Sequence, residues 1–221
     1  MGRTSGRKAE LIEAAQRAIA VHGSAVRLNQ IAEQAGVSSS AVLYHYPEIE
    51  DLLVDANRAG MERFYDERLR AISGVTDPVQ RLVTTIALGV PRSAEDEDVR
   101  LLCSLGGEAA RNTVYAVLLT SLFDRQVVMY QSILDLGVNS GDFSLRQDSQ
   151  TIARNLVALE DAYGYRIMAK HPTLDYAGAV ELIVEYARMA TGNPLDGVNE
   201  VMDSLQRVSR LPRPRKNATQ K

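Results

Sequence analysis

The 221-residue sequence has no tryptophan, three phenylalanines, three histidines and one cysteine. A lone Cys103 excludes an intramolecular disulfide and fits a reducing compartment, so a cytoplasmic location is expected. His22, His45 and His171 lie far apart and form no metal-ligand spacing, and no cofactor is expected. No apolar run approaches the ~20 residues that cross a bilayer, so no membrane association is expected. The start, Met-Gly-Arg-Thr-Ser-Gly-Arg-Lys, is charged and no apolar stretch follows it, which predicts no secretory leader. Strand-forming residues are scattered, and no internal repeat is visible. No Gly-rich phosphate loop or nucleophile–base signature occurs, which weighs against an enzyme.

What is present is helix-forming: Ala, Leu, Glu, Arg and Gln dominate long stretches. The apolar content of 45% suffices for a real core. The net charge of −3 argues against general coating of nucleic acid, but its distribution is uneven. Arg3, Arg7, Lys8, Arg17 and Arg27 face only Glu10 and Glu13 in the first thirty residues, and 207–221 holds six basic residues and no acid.

Helical spacing of Ile12, Ala15 and Ile19 predicts a first helix at 7–22, ended by His22-Gly23. A short second helix follows at 28–35, then a tight turn at Ala35-Gly36-Val37-Ser38. A third helix capped by Ser38 or Ser39 runs to about Tyr46 and is stopped by Pro47. Longer helices are expected at about 49–73, from Asp77-Pro78 to Pro91, from the acidic run 95–98, and from Asn112-Thr113. An eighth and a ninth follow at about 148–170 and 175–191, and a short amphipathic tenth at 197–209. Glu95-Asp96-Glu97-Asp98 reads as a helix N-terminus, where the dipole favours acids, rather than as a metal site.

The segment from Leu28 to Tyr46 carries the functional signal. Gly36 supplies the positive φ that reverses the chain in few residues, and Val37 and Val42 fill the wedge between two helices. Ser38, Ser39, Ser40 and Ala41 make a small-sided first turn that can enter a major groove, with Tyr44 and His45 at the far end. A plain helical hairpin would leave these polar side chains without a task.

Residues 7–53 resemble the N-terminal domain of the TetR family of bacterial regulators. The resemblance rests on Ile12, Ala15, Gly23, Ile31-Ala32, Ala35-Gly36-Val37-Ser38, Leu43-Tyr44-His45-Tyr46 and Leu52-Leu53. More weakly, Glu108 to Arg111, Gly141-Asp142-Phe143 and Leu159 to Tyr163 resemble the betaine-regulator type of C-terminal domain. The resemblance implies an all-α protein with a three-helix helix-turn-helix domain at 1–48 and a larger ligand-binding and dimerisation domain at 49–206, while charge and proline content predict a basic, disordered tail at 207–221. It implies a homodimer, joined through the eighth and ninth helices, on a palindromic operator in double-stranded DNA. A small organic effector would bind among helices four to seven, tilt the fourth, and release a repressor. Two departures stand out: Arg27 takes a capping place usually held by Thr or Ser, and Ile49 a place usually held by Lys or Arg.

The expected DNA contacts divide in two. Arg3, Arg7, Lys8, Arg27, Tyr44 and His45 grip phosphate, Ser39, Ser40 and Ala41, with Asn29 or Gln30, read bases, and the Ser38 hydroxyl meets phosphate or a base edge. The expected cavity is lined in part by Met61, Phe64, Tyr65, Cys103 and Tyr130. Glu108, Arg111, Tyr115, Asn155, Asp161, Tyr163 and Tyr165 also interrupt apolar helices. They are read either as polar groups of the pocket or as partners at helix crossings and the dimer face. The rival readings are a helical small-molecule enzyme, in which a carboxylate such as Asp161 does acid–base work, and a protein-interaction bundle without DNA binding.

Overall fold

The computed structural model describes residues 2–209, all helix and connecting loop, with no strand among them. The helices are α1 (Gly2–His22), α2 (Leu28–Ala35), α3 (Ser39–His45), α4 (Ile49–Ile72) and α5 (Pro78–Gly89). They continue as α6 (Glu97–Ala109), α7 (Thr113–Ser140), α8 (Ser149–Met168), α9 (Tyr176–Thr191) and α10 (Val198–Ser209). The all-α expectation holds. Helix α1 starts five residues before the expected start at residue 7, and a 3-10 turn at Gly23–Ala25 follows it unannounced.

Side chains in the linkers set most of the starts. Asp77 accepts from the Val79 N–H at 2.9 Å, Asn112 from Val114 at 2.9 Å, Asp148 from Thr151 at 2.8 Å and Asp175 from Gly178 at 2.9 Å. Asp96 caps α6 at the Val99 N–H, so the acidic run does open a helix, and Glu95 pairs with Lys170 across 3.1 Å of exposed surface.

Helices α1 to α3 close around Leu11, Ala15, Ile19, Ile31, Ala32 and Val42. That core also takes Leu52 and Ala56 from α4 and Leu101 from α6, so the N-terminal unit sits on α6 as well as on the helix that follows it. The larger core gathers Leu82, Val83 and Ile86 from α5, Ile133 and Leu134 from α7, Ile152 and Leu156 from α8, and Val180, Ile183 and Val184 from α9, all fully buried. Helix α10 docks on α5, and the Arg92 guanidinium donates to the Leu205 carbonyl at 3.1 Å. It continues through Ser209, three residues into the basic stretch expected at 207–221; residues 210–221 lie outside the described residues.

Candidate functional site

The helix-turn-helix turn is built on Gly36, at φ +66°, whose N–H and that of Val37 reach back to the last carbonyls of α2. That left-handed conformation strains a residue bearing a Cβ, so glycine allows α3 to leave at once. Ser38 then accepts from the Ala41 N–H at 3.2 Å and caps α3. Val42 is fully buried, which turns Ser38 and Ser40 outward, with Ser39 and Ala41 half-exposed beside them. Tyr44 is 82% exposed and stands edge-on to the His45 ring.

The remaining expected DNA contacts fall into free and engaged groups. Arg27 and Asn29 are exposed. Gln30 is engaged: its Oε1 accepts from the Arg27 N–H at 2.8 Å, and its Nε2 lies 3.3 Å from His22 Nδ1. Arg27 has no side-chain acceptor with which to cap α2, and Gln30 supplies half a capping box from the other side. Arg7 pairs with Glu10 at 2.5 Å, and Lys8 Nζ stands 4.7 Å from the centre of the Tyr46 ring. The Arg3 side chain lies outside the described residues. Ile49 packs half-buried against the N-terminal core. Tyr46 is buried and donates to Asp55 Oδ2 at 3.1 Å; burial and that carboxylate push its phenol up to about 12.

The larger unit holds a cavity of about 370 Å³. Phe64 of α4, Gly89 of α5, Leu102 and Cys103 of α6, and Leu119, Phe123 and Gln126 of α7 form part of its wall. Helix α8 adds Glu160, Asp161, Gly164 and Tyr165. Of the residues named for the cavity from the sequence, Phe64 and Cys103 line it, and Met61, Tyr65 and Tyr130 lie outside the lining. Met61 is buried against Tyr115 and Leu122, on the side of a smaller recess. Tyr65 lies under the Arg125 guanidinium, 4.0 Å from its ring centre. Tyr130 is drawn into the core by its hydroxyl, which donates to Glu160 Oε1. The expectation of a cavity bounded by helices four to seven is corrected by α8, which supplies both carboxylates found in the wall among the described residues.

Behind that wall lies the group the sequence reading missed. Arg68 of α4 is fully buried, and its guanidinium donates to Glu160 Oε1 at 2.7 Å, to the Thr85 carbonyl at 2.8 Å and to the Tyr130 hydroxyl at 3.1 Å. Its cation also lies near the faces of Phe64 and Tyr130, at 5.6 and 5.5 Å. Burial opposes the Arg68 charge, but Glu160 and Tyr130 outweigh it and hold its pKa above the ordinary value. Burial pushes Glu160 up to about 7, against the pull of Arg68 and the Tyr130 hydroxyl, so Glu160 is the member that titrates. Gly89 makes the close approach possible, because a Cβ there would fall on the Glu160 carboxylate. Of the other polar interruptions, Asn155 donates to the Tyr186 hydroxyl at 2.8 Å, at a crossing of α8 and α9. Cys103 is raised to about 11 by burial, with Asp161 and Asp96 adding to it. Asp161 reaches solvent at the cavity mouth, yet the protein around its other sides raises its carboxyl, with Arg68 opposing.

A signal for Arg68 and Glu160 was present. Arg68 stands four residues from Phe64 and from Ile72, and Glu160 four from Leu156 and from Gly164, so both occupy buried stripes. Spacing alone could not say that the two meet, ninety-two residues apart in the chain.

Residues 11–56 match the family described as bacterial regulatory proteins, tetR family. No curated protein matches the sequence. Among solved structures, a protein from Saccharomonospora viridis described as a transcriptional regulator, in complex with choline, superposes with a TM-score of 0.77 at 22% identity, covering 83% of this chain and 96% of that one. A TetR transcription regulator from Haloarcula marismortui gives 0.76 at 24% identity, over 85% and 99% of the two chains. The transcriptional regulator FadR from Bacillus subtilis, in complex with stearoyl-CoA, gives 0.65 at 19% identity, over 80% and 95%. Residues 11–56 are thus similar to the tetR family of bacterial regulatory proteins, and the described chain shares the fold of these solved regulators.

Proposed function

We propose that the protein is a cytoplasmic, ligand-responsive transcriptional regulator, a repressor that binds a palindromic operator as a homodimer and leaves it when a small organic effector fills the cavity. The observation that carries this reading is the pairing, in one chain, of a family-matched helix-turn-helix and a cavity whose wall includes α4, the helix that follows it. Solved proteins of the same fold hold choline and stearoyl-CoA, which supports a small-molecule site here. The domain limits follow as proposed from the sequence: DNA binding at 1–48, effector binding and dimerisation at 49–206, and a basic tail at 207–221 that adds non-specific DNA affinity or stays idle.

Phosphate contacts fall to Arg27 and the Arg3-Arg7-Lys8 arm, with Tyr44 and His45. Base reading falls to Ser39, Ser40 and Ala41, the exposed and half-exposed turn of α3, with Asn29 beside them. The dimer forms through α8 and α9, where Tyr165, Leu182 and Met189 remain 46%, 48% and 62% exposed in the single chain. The test is a gel shift of the full chain against random duplexes and the DNA upstream of its own gene. Sequence-specific, salt-sensitive retardation supports the reading. Absence of specific retardation, with turnover of a bound metabolite, would replace it with an enzyme.

A further inference from the structure

We propose that Arg68, Glu160 and Tyr130 form a proton-operated clasp on α4: when Glu160 takes up a proton, the Arg68 guanidinium is released and α4 shifts, with the DNA-reading unit that it carries. The clasp itself rests on the buried geometry, and its effect on DNA rests on the regulator reading.

Arg68 lies toward the C-terminal end of α4, and Leu52 and Ala56, near the other end, belong to the helix-turn-helix core. The guanidinium is fully buried, yet its hydrogen bonds to Glu160 Oε1, the Thr85 carbonyl and the Tyr130 hydroxyl all leave from Nη2. Nε and Nη1 are buried without a hydrogen-bond partner, and so is Glu160 Oε2. One nitrogen thus holds a whole buried cation, and Glu160 supplies its one ion pair among the described residues. Without that negative charge the cation is uncompensated, and an uncompensated charge is driven out of the interior. Protons reach Glu160 from the cavity that it lines, whose mouth holds the exposed Asp161. Asp161 also feels the Arg68 charge, and it offers the freed guanidinium a second carboxylate.

The groups facing Glu160 set the sign. Arg68 from α4 and the Tyr130 hydroxyl from α7 favour the carboxylate, and Asp161 from its own helix opposes it. Helix α5 presents Gly89, which does not titrate. Across the cavity, Cys103 of α6 and Tyr165 of α8 are both raised by burial and stay neutral near pH 7. With the clasp closed, burial holds Glu160 at about 7. With Arg68 gone the pull of its charge is lost while burial remains, so the open arrangement keeps its proton more tightly. Falling pH therefore favours opening, starting above 7 and levelling off below about 7, where both arrangements are protonated.

The test uses the full chain and two readouts. The sequence has no tryptophan, so Leu69→Trp, at a 38% exposed position beside Arg68, reports on α4 without DNA. Its emission should change between about pH 9 and pH 7. Glu160→Gln, a neutral copy of the protonated acid, should abolish the change. Gel shifts on the upstream duplex that the natural chain retains should show affinity falling about tenfold over the same range, as a difference of about one pKa unit between the two arrangements requires. Glu160→Gln should bind that duplex weakly throughout the range. Protonation of His22 and His45 in the DNA-binding unit has the opposite sign, because added positive charge tightens DNA binding in acid. If Glu160→Gln fails to fold, Arg68→Met combined with Glu160→Leu puts an apolar contact in place of the clasp. That double variant should keep specific binding and lose the pH dependence of both readouts. A tryptophan signal that is flat, or that survives these variants, would overturn the proposal. So would operator affinity that does not fall toward pH 7, and that result leaves the regulator reading standing. A tryptophan signal that the variants abolish, without specific retardation at any pH, keeps the clasp and removes the regulator.

Discussion

Arg68 and Glu160 meet at 2.7 Å with both side chains only 2% exposed, joining α4 to α8 through the middle of the larger unit. The carboxylate that holds the guanidinium also faces the cavity, so one group serves the anchor and the candidate ligand site. Helix α4 reaches the helix-turn-helix core at its other end, through Leu52 and Ala56.

Breaking this pair is expected to cost far more than deleting both members. Glu160→Leu alone leaves the Arg68 charge buried and uncompensated, and about 3–5 kcal/mol should be lost, whereas Arg68→Met alone lets Glu160 protonate and should cost less. The double variant should recover much of that loss. Urea unfolding of the four proteins measures the coupling, and simple additivity would show that the two side chains do not act together.

The pH dependence follows from the direction of the Glu160 shift. Burial raises its folded pKa from 4.5 to about 7, with Arg68 from α4, Tyr130 from α7 and Asp161 from its own helix facing it. An acid whose pKa is raised on folding stabilises the fold below its unfolded value, and that contribution is lost as pH rises through the folded value. The stability of the natural chain relative to Glu160→Gln should therefore fall between pH 4.5 and about 7 and flatten above. A difference that grows with pH across that window would mean that the pull of Arg68 outweighs burial.

In the DNA-binding unit, three substitutions separate grip from reading, and a fourth tests the cap. Arg27→Ala should weaken binding to all sequences alike and flatten the salt dependence. Ile49→Lys should tighten it alike and steepen the log–log slope by ~0.9. Ser40→Ala should change which operator variants bind. Gln30→Ala should instead cost about 1 kcal/mol of stability, because its amide holds the start of α2. Gel shifts over a salt series and a library of operators, with melting curves beside them, distinguish the four. A change of sequence preference from Arg27→Ala alone would reverse the assignment.

Association through α8 and α9 is expected to bury roughly 2,000 Å² or more in total. Leu182→Glu and Met189→Glu, both at exposed positions of α9, should yield monomers at micromolar concentration and reduce operator affinity together. Sedimentation showing that the unmodified chain is already monomeric there would remove this interface.

The order and type of the elements were legible in the sequence because they depend on local chemistry. Asp77 before Pro78, Asn112 before Thr113 and Gly36 between two short apolar stripes act within a few residues, and each does in the structure what spacing predicts. The same holds for the helix-turn-helix, whose Ser38 cap and buried Val42 decide between them which side chains of α3 face outward. The role of Gln30 was not legible: as a polar residue on a short helix it reads as a base contact, until the Arg27 N–H is seen to claim its amide oxygen.

The cavity was decided by the tertiary structure alone. Periodicity places Tyr130, Met61 and Phe64 on apolar stripes without saying which stripe meets another helix and which meets open space. Tyr130 was withdrawn from the cavity by a hydrogen bond to a residue thirty positions away, and Glu160 was placed in its wall by a guanidinium ninety-two positions away. Local propensity acts along the chain, whereas the pairing of a buried charge is settled only when packed helices leave it no water and one partner within reach.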